Sequence, residues 1–493
     1  MTVLICGLEA KEIWSKYYKR VRRIMKKNGK KYRRLQKEKE IKKRVSITND
    51  TVQEVDGIKI ANLAMAQIVM DNPIVNDLED TKKLYLNLLN KYLKLGGWNK
   101  RKYESSGVEA YKNIILGNNE VKHEYSFEFY QYFILFDVLH LLGYDTEKIP
   151  SEKFESIRKQ HALDFVNSNS GLVKRIMNSV QGDDRRLTNL MKNEMLLEES
   201  HYIELVRRNL SFKKQNSFGI MVTATMSAGK STFINSLIGK YVCLSQNMAC
   251  TSKIHSIINK AFEDGYSTEY DHELVMTAGK EELLNDNELN TSDRIYVSTH
   301  YIGGLAGERI IINDSPGVNF SGDSEHKEIS DKLIKGRKYN LLVYIMNSTQ
   351  LATNDEDEHL EFVKSTIGRT PVIFIMNKID SYNLEEENVA ETIGRQIEYL
   401  KKKGFKNPVV CPVSARAGYL AKQFTATQLS RSEKRELYNY VDKFEQMKLD
   451  DYYEEYFPKI VIEDKEHEEE QLLKTCGLAY VEQIIKECIK GGK

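Results

Sequence analysis

The chain has 493 residues, too many for one hydrophobic core, and its 41% hydrophobic content is ample for the two or three domains such a length implies. Its six cysteines (Cys6, Cys243, Cys250, Cys411, Cys476, Cys488) are scattered, with no C-x-x-C pair and no His cluster at metal-ligand spacing, which argues against a disulfide framework or a structural zinc and for a reducing cytosol. The net charge of +2 conceals 16 Lys or Arg against two acids between Lys16 and Arg44, so this segment carries +14 and the remainder −12.

The opening MTVLICGLEAKEIW has no leading charge and no small-residue cleavage site, so it does not read as a secretory signal. The basic segment that follows interleaves Trp14, Tyr17, Tyr18, Ile24, Met25, Tyr32 and Leu35 with its positive charges. Three readings stay open for it: an anionic bilayer surface first, a solvated face attracted to the acidic run Glu463 to Glu470 second, and RNA third. Up to about residue 212 the sequence reads helical, holding only Pro73 and Pro150 of the seven prolines, with a stripe at Leu187, Leu190, Met191, Ile203, Val206 and Leu210. The longest apolar run, Phe133 to Leu142, is broken by Asp137 and His140 and is about half as long as a spanning helix requires. Any membrane contact is therefore expected to be peripheral, and the protein cytoplasmic or at the inner membrane face.

From Phe218 the texture changes to short β-branched runs, GIMVTA, ERIIIND, NLLVYIMN, PVIFIMN and NPVVCPVS, alternating with helical segments. That alternation predicts a mostly parallel sheet covered on both faces. Past Gly418 the chain reads helical and highly charged, and it ends in a helix bearing Leu478, Val481, Ile484, Ile485 and Cys488.

The first strand runs into Ala224-Thr225-Met226-Ser227-Ala228-Gly229-Lys230-Ser231-Thr232 and then a helix, the context of a phosphate-binding loop. Lys230 would neutralise the outer phosphates and the Ser231 hydroxyl would ligate magnesium. Ala224 stands where this motif usually opens with glycine. Asp314-Ser315-Pro316-Gly317 follows the next motif-bearing strand, placing a carboxylate to hold a magnesium-bound water and the Gly317 amide to meet a γ-phosphate. Asn377-Lys378-Ile379-Asp380 follows another: the Asp380 carboxylate can pair with guanine N1 and N2, Asn377 with N7, and the Lys378 stem can cover the ring. Ser414-Ala415 ends the series, where the Ala415 amide can bond guanine O6. Four motifs in the required order, each just past a strand carboxyl end, point to one GTP site.

The stretch TATMSAGKSTFINSLIG, together with NMACTSKI, INDSPGV, IMNKID and PVSARAG, resembles the GTPase domain of dynamin-like proteins, bacterial ones especially, over about residues 215 to 415. TCGLAYVEQIIKE is similar to the segment that closes such domains. The resemblance implies that Thr251 is the first-switch threonine that closes over magnesium and the γ-phosphate. It implies that Ser227 is the phosphate-loop catalytic serine, acting with Lys230, Thr251, a monovalent cation (K+ or Na+) and a second GTPase domain. Val318, not glutamine, follows Gly317, so no Ras-style water-positioning glutamine is present, and Met226 stands where eukaryotic dynamins have one. The 84 residues from Lys230 to Asp314 leave room for the extra strands of an enlarged GTPase domain.

The expected layout is a basic helical segment (1–50), a stalk- or neck-like helical domain (51–212), the GTPase domain (213–420) and a charged helical extension with a closing helix (421–493). The expected function is GTP hydrolysis coupling dimerisation to helix movement on a membrane or in an assembly. Its alternative is a slow GTP-regulated switch presenting its helices to RNA or a protein.

Overall fold

The computed structural model describes residues 66–97, 102–142, 150–181, 184–243, 254–270, 274–279, 294–315, 324–385, 388–426 and 429–491. Residues 56–493 form one compact unit; the basic segment Lys16–Arg44 belongs to the other, of which no residue is described.

Before the sheet the described chain is helical: α1 (Ala66–Met70), α2 (Glu79–Leu95), α3 (Lys102–Gly117), α4 (Phe133–Leu142), α5 (Ser151–Asp164), α6 (Ser170–Gln181), α7 (Asp184–Leu190) and α8 (Ser200–Lys213). The apolar run too short for a bilayer is α4, and all ten of its residues are buried. Its two polar positions are satisfied there. Asp137 accepts from the hydroxyls of Tyr85 and Tyr202 and from Asn72 Nδ2, while His140 faces Tyr111 Oη at 2.8 Å and Asn209 Nδ2 at 3.1 Å. Burial raises the Asp137 pKa to about 6 despite those donors, and lowers that of His140 to about 3. Leu187 and Leu190 on α7, and Ile203 and Val206 on α8, are buried as their spacing predicts. Among the described residues no helix is long and apolar enough to cross a membrane.

Nine described strands form one sheet in the order β4-β3-β5-β2-β6-β1-β7-β8-β9. They are β1 (Phe218–Ala224), β2 (Ile254–Asn259), β3 (Ser267–Tyr270), β4 (Leu274–Ala278), β5 (Arg294–Thr299), β6 (Ile310–Asp314), β7 (Leu341–Asn347), β8 (Val372–Asn377) and β9 (Val409–Val413). The five strands β6-β1-β7-β8-β9 are parallel. β2 turns antiparallel against β6 and parallel to β5, and β3 pairs antiparallel with β5 and β4. The segment between Lys230 and Asp314 thus widens the sheet by four strands. β7 is buried at all seven positions, as a central strand covered on both faces must be. The covering helices are α9 (Lys230–Ile238), α10 (Ser324–Gly336), α11 (Asn354–Thr366), α12 (Val389–Lys402) and α13 (Ala415–Ala426).

The charged carboxyl-terminal helices α14 (Arg431–Met447), α15 (Leu449–Tyr456), α16 (Glu468–Thr475) and α17 (Leu478–Gly491) pack onto the same core. Leu478, Val481, Ile484 and Ile485 are buried there with residues of β1, α9 and α13. Gly477, at φ +85°, lets the chain pass against the Pro412 carbonyl, where a Cβ would collide. A buried ion pair fixes α17: Lys422 Nζ bonds Glu482 Oε1 at 2.6 Å and the Leu237 carbonyl at 2.8 Å, and Glu482 Oε2 accepts from Gly304 N at 3.1 Å. Both side chains are nearly inaccessible to water. Glu482→Ala, which strands the Lys422 charge, is expected to cost roughly 3–5 kcal/mol in urea unfolding, and Lys422→Met with Glu482→Leu to recover most of it. Equal loss in the single and double variants would show that the cost does not come from the stranded Lys422 charge.

Candidate nucleotide site

The described residues of each sequence motif sit at the carboxyl edge of the parallel strands, at the ends of β1, β6, β8 and β9 or just beyond them. Ala224 ends β1, buried and outside the left-handed region, so its Cβ costs nothing there; the turn is made further on, at Ser227 (φ +61°) and Gly229 (φ +86°). Positive-φ residues in a loop that ends at the amino terminus of α9 are the kind of backbone from which anion-binding concavities are built. Thr225 is half-buried, Met226 and Ser227 are exposed, Ala228 is buried, and Ser231 and Thr232 lie half-buried in the first helical turn.

Asn377 joins the loops. Its Nδ2 donates to the Ala228 carbonyl at 3.0 Å, and its Oδ1 accepts from the Ala415 amide at 3.1 Å. A Cβ at Gly229 would collide with that Nδ2, so position 229 excludes every side chain twice over, by φ and by contact. The Ala415 amide, expected at guanine O6, is here engaged by Asn377. Lys378 is held at φ +66°, half-buried, with its Cε 3.8 Å from where a Gly229 Cβ would lie, so its stem runs beside the phosphate loop. The Asp380 carboxylate accepts from Ser414 Oγ through Oδ1 at 2.6 Å, which ties the two base-reading motifs together. Ser414 Oγ also accepts from Ala417 N at 3.2 Å, fixing its own rotamer.

On the phosphate side, Lys230 Nζ pairs with Asp314 Oδ1 in a nearly closed environment. Asp314 Oδ2 is buried and has no partner at hydrogen-bond geometry among the described residues, the kind of carboxylate oxygen that suits a hard cation or its water. Among the described residues no group of three or more His, Cys, Asp or Glu is placed to hold a metal by itself. Gly317 and Thr251 lie outside the described residues.

Two residues here carried no signal in the sequence. Asn235 clamps the chain leading toward Thr251: its Oδ1 accepts from Val242 N at 2.9 Å and Cys243 N at 2.8 Å, and its Nδ2 donates to Cys243 O at 2.7 Å. Cys243 lies beside Asp314, and burial, reinforced by that carboxylate, pushes its thiol far above the usual range, so it stays protonated.

A parallel sheet with a phosphate loop after its central strand, an acidic end on the adjacent strand and Asn-Lys-x-Asp two strands away defines a P-loop GTPase fold, the domain of GTP-hydrolysing enzymes. Residues 220–379, about a third of the chain, match the model of the Dynamin family. Solved structures overlap more loosely. Era in complex with MgGDPNP and 16S ribosomal RNA shares 17% identity at a TM-score of 0.26, covering 41% of this chain and 52% of that one. Toc33 from Arabidopsis thaliana with GDP and Mg2+ shares 14% at 0.28, covering 43% and 78%. Aquifex aeolicus Era bound to GDP and AlF4− shares 18% at 0.25, covering 44% and 58%. The chain thus spans about half the length of the first of these, and overlaps of this extent carry no functional weight. No curated protein sequence matches the chain.

Gly229→Ala is expected to displace Asn377 and weaken fluorescent GTP-analogue binding at least tenfold, whereas Gly265→Ala, also at positive φ but with open space around it, should leave binding unchanged. Titration of both variants checks this; intact binding by the Gly229 variant would mean the loop relaxes freely.

Proposed function

We propose that this protein binds guanine nucleotides and hydrolyses GTP to GDP and phosphate at the carboxyl edge of its parallel strands. The observation that carries the reading is the Asn377 carboxamide, which bonds the phosphate loop through Ala228 and the base loop through Ala415 and so makes one site of three sequence-distant motifs. Asp380 reads N1 and N2 of guanine with a carboxylate oriented by Ser414. Lys230 turns from Asp314 to the outer phosphates, and the amides of residues 225–232 receive the remaining charge. Ser231 and Asp314, with Thr251, would hold Mg2+, which when bound neutralises charge on the phosphates.

Hydrolysis is completed by a second copy. Met226 is half exposed and Ser227 exposed at the apex of the phosphate loop, where a facing domain would cover them and fix the Ser227 hydroxyl toward the attacking water, with K+ or Na+ as counter-charge. The segment Lys16–Arg44 is assigned to an anionic membrane surface, ahead of RNA, on its charge and interleaved aromatics.

Asp380→Asn is expected to weaken GTP binding at least tenfold and to favour xanthosine triphosphate, whose 2-oxo group can accept from the new amide. Competition titration checks it, and equal wild-type affinity for ATP and GTP would remove the guanine reading. Specific activity is expected to rise with protein concentration, and Ser227→Ala to lower kcat far more than affinity. Flat specific activity with normal turnover in that variant would leave the slow switch as the better account.

A further inference from the structure

The carboxyl-terminal helix α14 presents one face to both base-reading loops. Glu436, Tyr440 and Lys443, spaced by four and three residues, share that face. Lys443 Nζ donates to the carbonyls of Asp380 at 2.7 Å and Tyr382 at 2.6 Å. These carbonyls lie in and just after the short 3-10 turn Ile379–Ser381, which cannot satisfy them internally. Glu436 makes a two-pronged pair with Arg416, Nε to Oε1 at 2.9 Å and Nη2 to Oε2 at 2.7 Å, and Arg416 directly follows Ala415. Tyr440 Oη bonds Glu436 Oε1 at 3.1 Å. Burial, and next the nearby Asp380 carboxylate, raise the pKa of that phenol, which sets Tyr440 close to the base-reading acid.

The helix is a firm platform for these bonds. Leu437 and Phe444 are buried in the main core, and Ser430 with Glu433 forms a reciprocal cap at its amino terminus. A helix needed only for packing would be anchored by Leu437 and Phe444 alone. Here charged side chains are spent on the backbone of one base loop and on the residue after the other, and a charged donor on a carbonyl is about twice as strong as a neutral one.

We propose that Lys443 is a positioning residue for guanine recognition, with Glu436 as its counterpart on the second loop, so that α14 sets the separation of Asp380 and Ala415 and thereby the selectivity for the base. The inference rests on the guanine reading above. Displacing α14 would change affinity for GTP and GDP together, because it touches the base side and leaves the phosphate loop alone.

The test uses the full chain and measures Kd for GTP, GDP, inosine triphosphate, which lacks the 2-amino group, and ATP. Lys443→Met is expected to weaken GTP and GDP alike by on the order of tenfold, to leave the GTP to GDP ratio unchanged and to reduce the preference of GTP over inosine triphosphate. Lys443→Arg, which keeps the charge, should restore much of that preference. Glu436→Gln, which loosens only the second loop, should lower it by a smaller factor, and it reads the same property if Lys443→Met does not fold. An unchanged preference for GTP over inosine triphosphate in the folded variants would overturn the proposal. A wild type that binds ATP as tightly as GTP would instead overturn the guanine reading on which it rests.

Discussion

The nucleotide site depends on one buried carboxamide. Asn377 closes β8, and the parallel register sets it opposite Asn347 on β7 and Val413 on β9, so the residue after Val413 begins the base loop. From that position its two ends reach Ala228 and Ala415, and its bulk requires that position 229 have no side chain. Because strand side chains alternate between faces, a slip of one residue in β8 would turn Asn377 away from both partners. The site is therefore only as well defined as the sheet register, which the apolar faces of β7, β8 and β9 hold in place.

The second constraint is electrostatic. Lys230 and Asp314 are buried together at the ends of α9 and β6, a costly arrangement unless both charges have partners. Each has one in the other, and the remaining Asp314 carboxylate oxygen is buried without a hydrogen-bond partner among the described residues. Around them the environment is kept dry and orderly: the Cys243 thiol stays protonated, and Asn235 fixes the chain on its way to Thr251 with three hydrogen bonds. Charges preorganised in a closed pocket act on a bound anion far more strongly than they could in water.

The carboxyl-terminal extension shows how composition can understate a role. Its sequence reads as a charged extension, yet Lys422 and Glu482 are buried against each other, Arg416 and Glu436 form a two-pronged pair, and Lys443 bonds two carbonyls of the base loop. Cys476 accepts from the Ser414 amide at 3.0 Å, so even the turn before the last helix supports the base loop. Charges that composition alone would leave solvated are here engaged in contacts that tie the carboxyl-terminal helices to the sheet.

The sequence by itself determined the five parallel strands β1, β6, β7, β8 and β9, the order of the four motifs and the chemical type of each residue in them, because these are local properties: β-branched runs, a glycine-lysine-serine turn into a helix, an acid at a strand end. It also showed Phe133 to Leu142 to be too short and too interrupted by Asp137 and His140 to span a bilayer, while only the fold showed that all ten residues are buried. Tertiary structure decided which groups meet. Asn377 and Ala228 lie 149 residues apart, Lys422 and Glu482 60, and Lys443 and Asp380 63. A lysine on a charged helix has the same local pattern whether it faces water or a carbonyl, since the difference lies in what the rest of the chain brings to it when the apolar core closes.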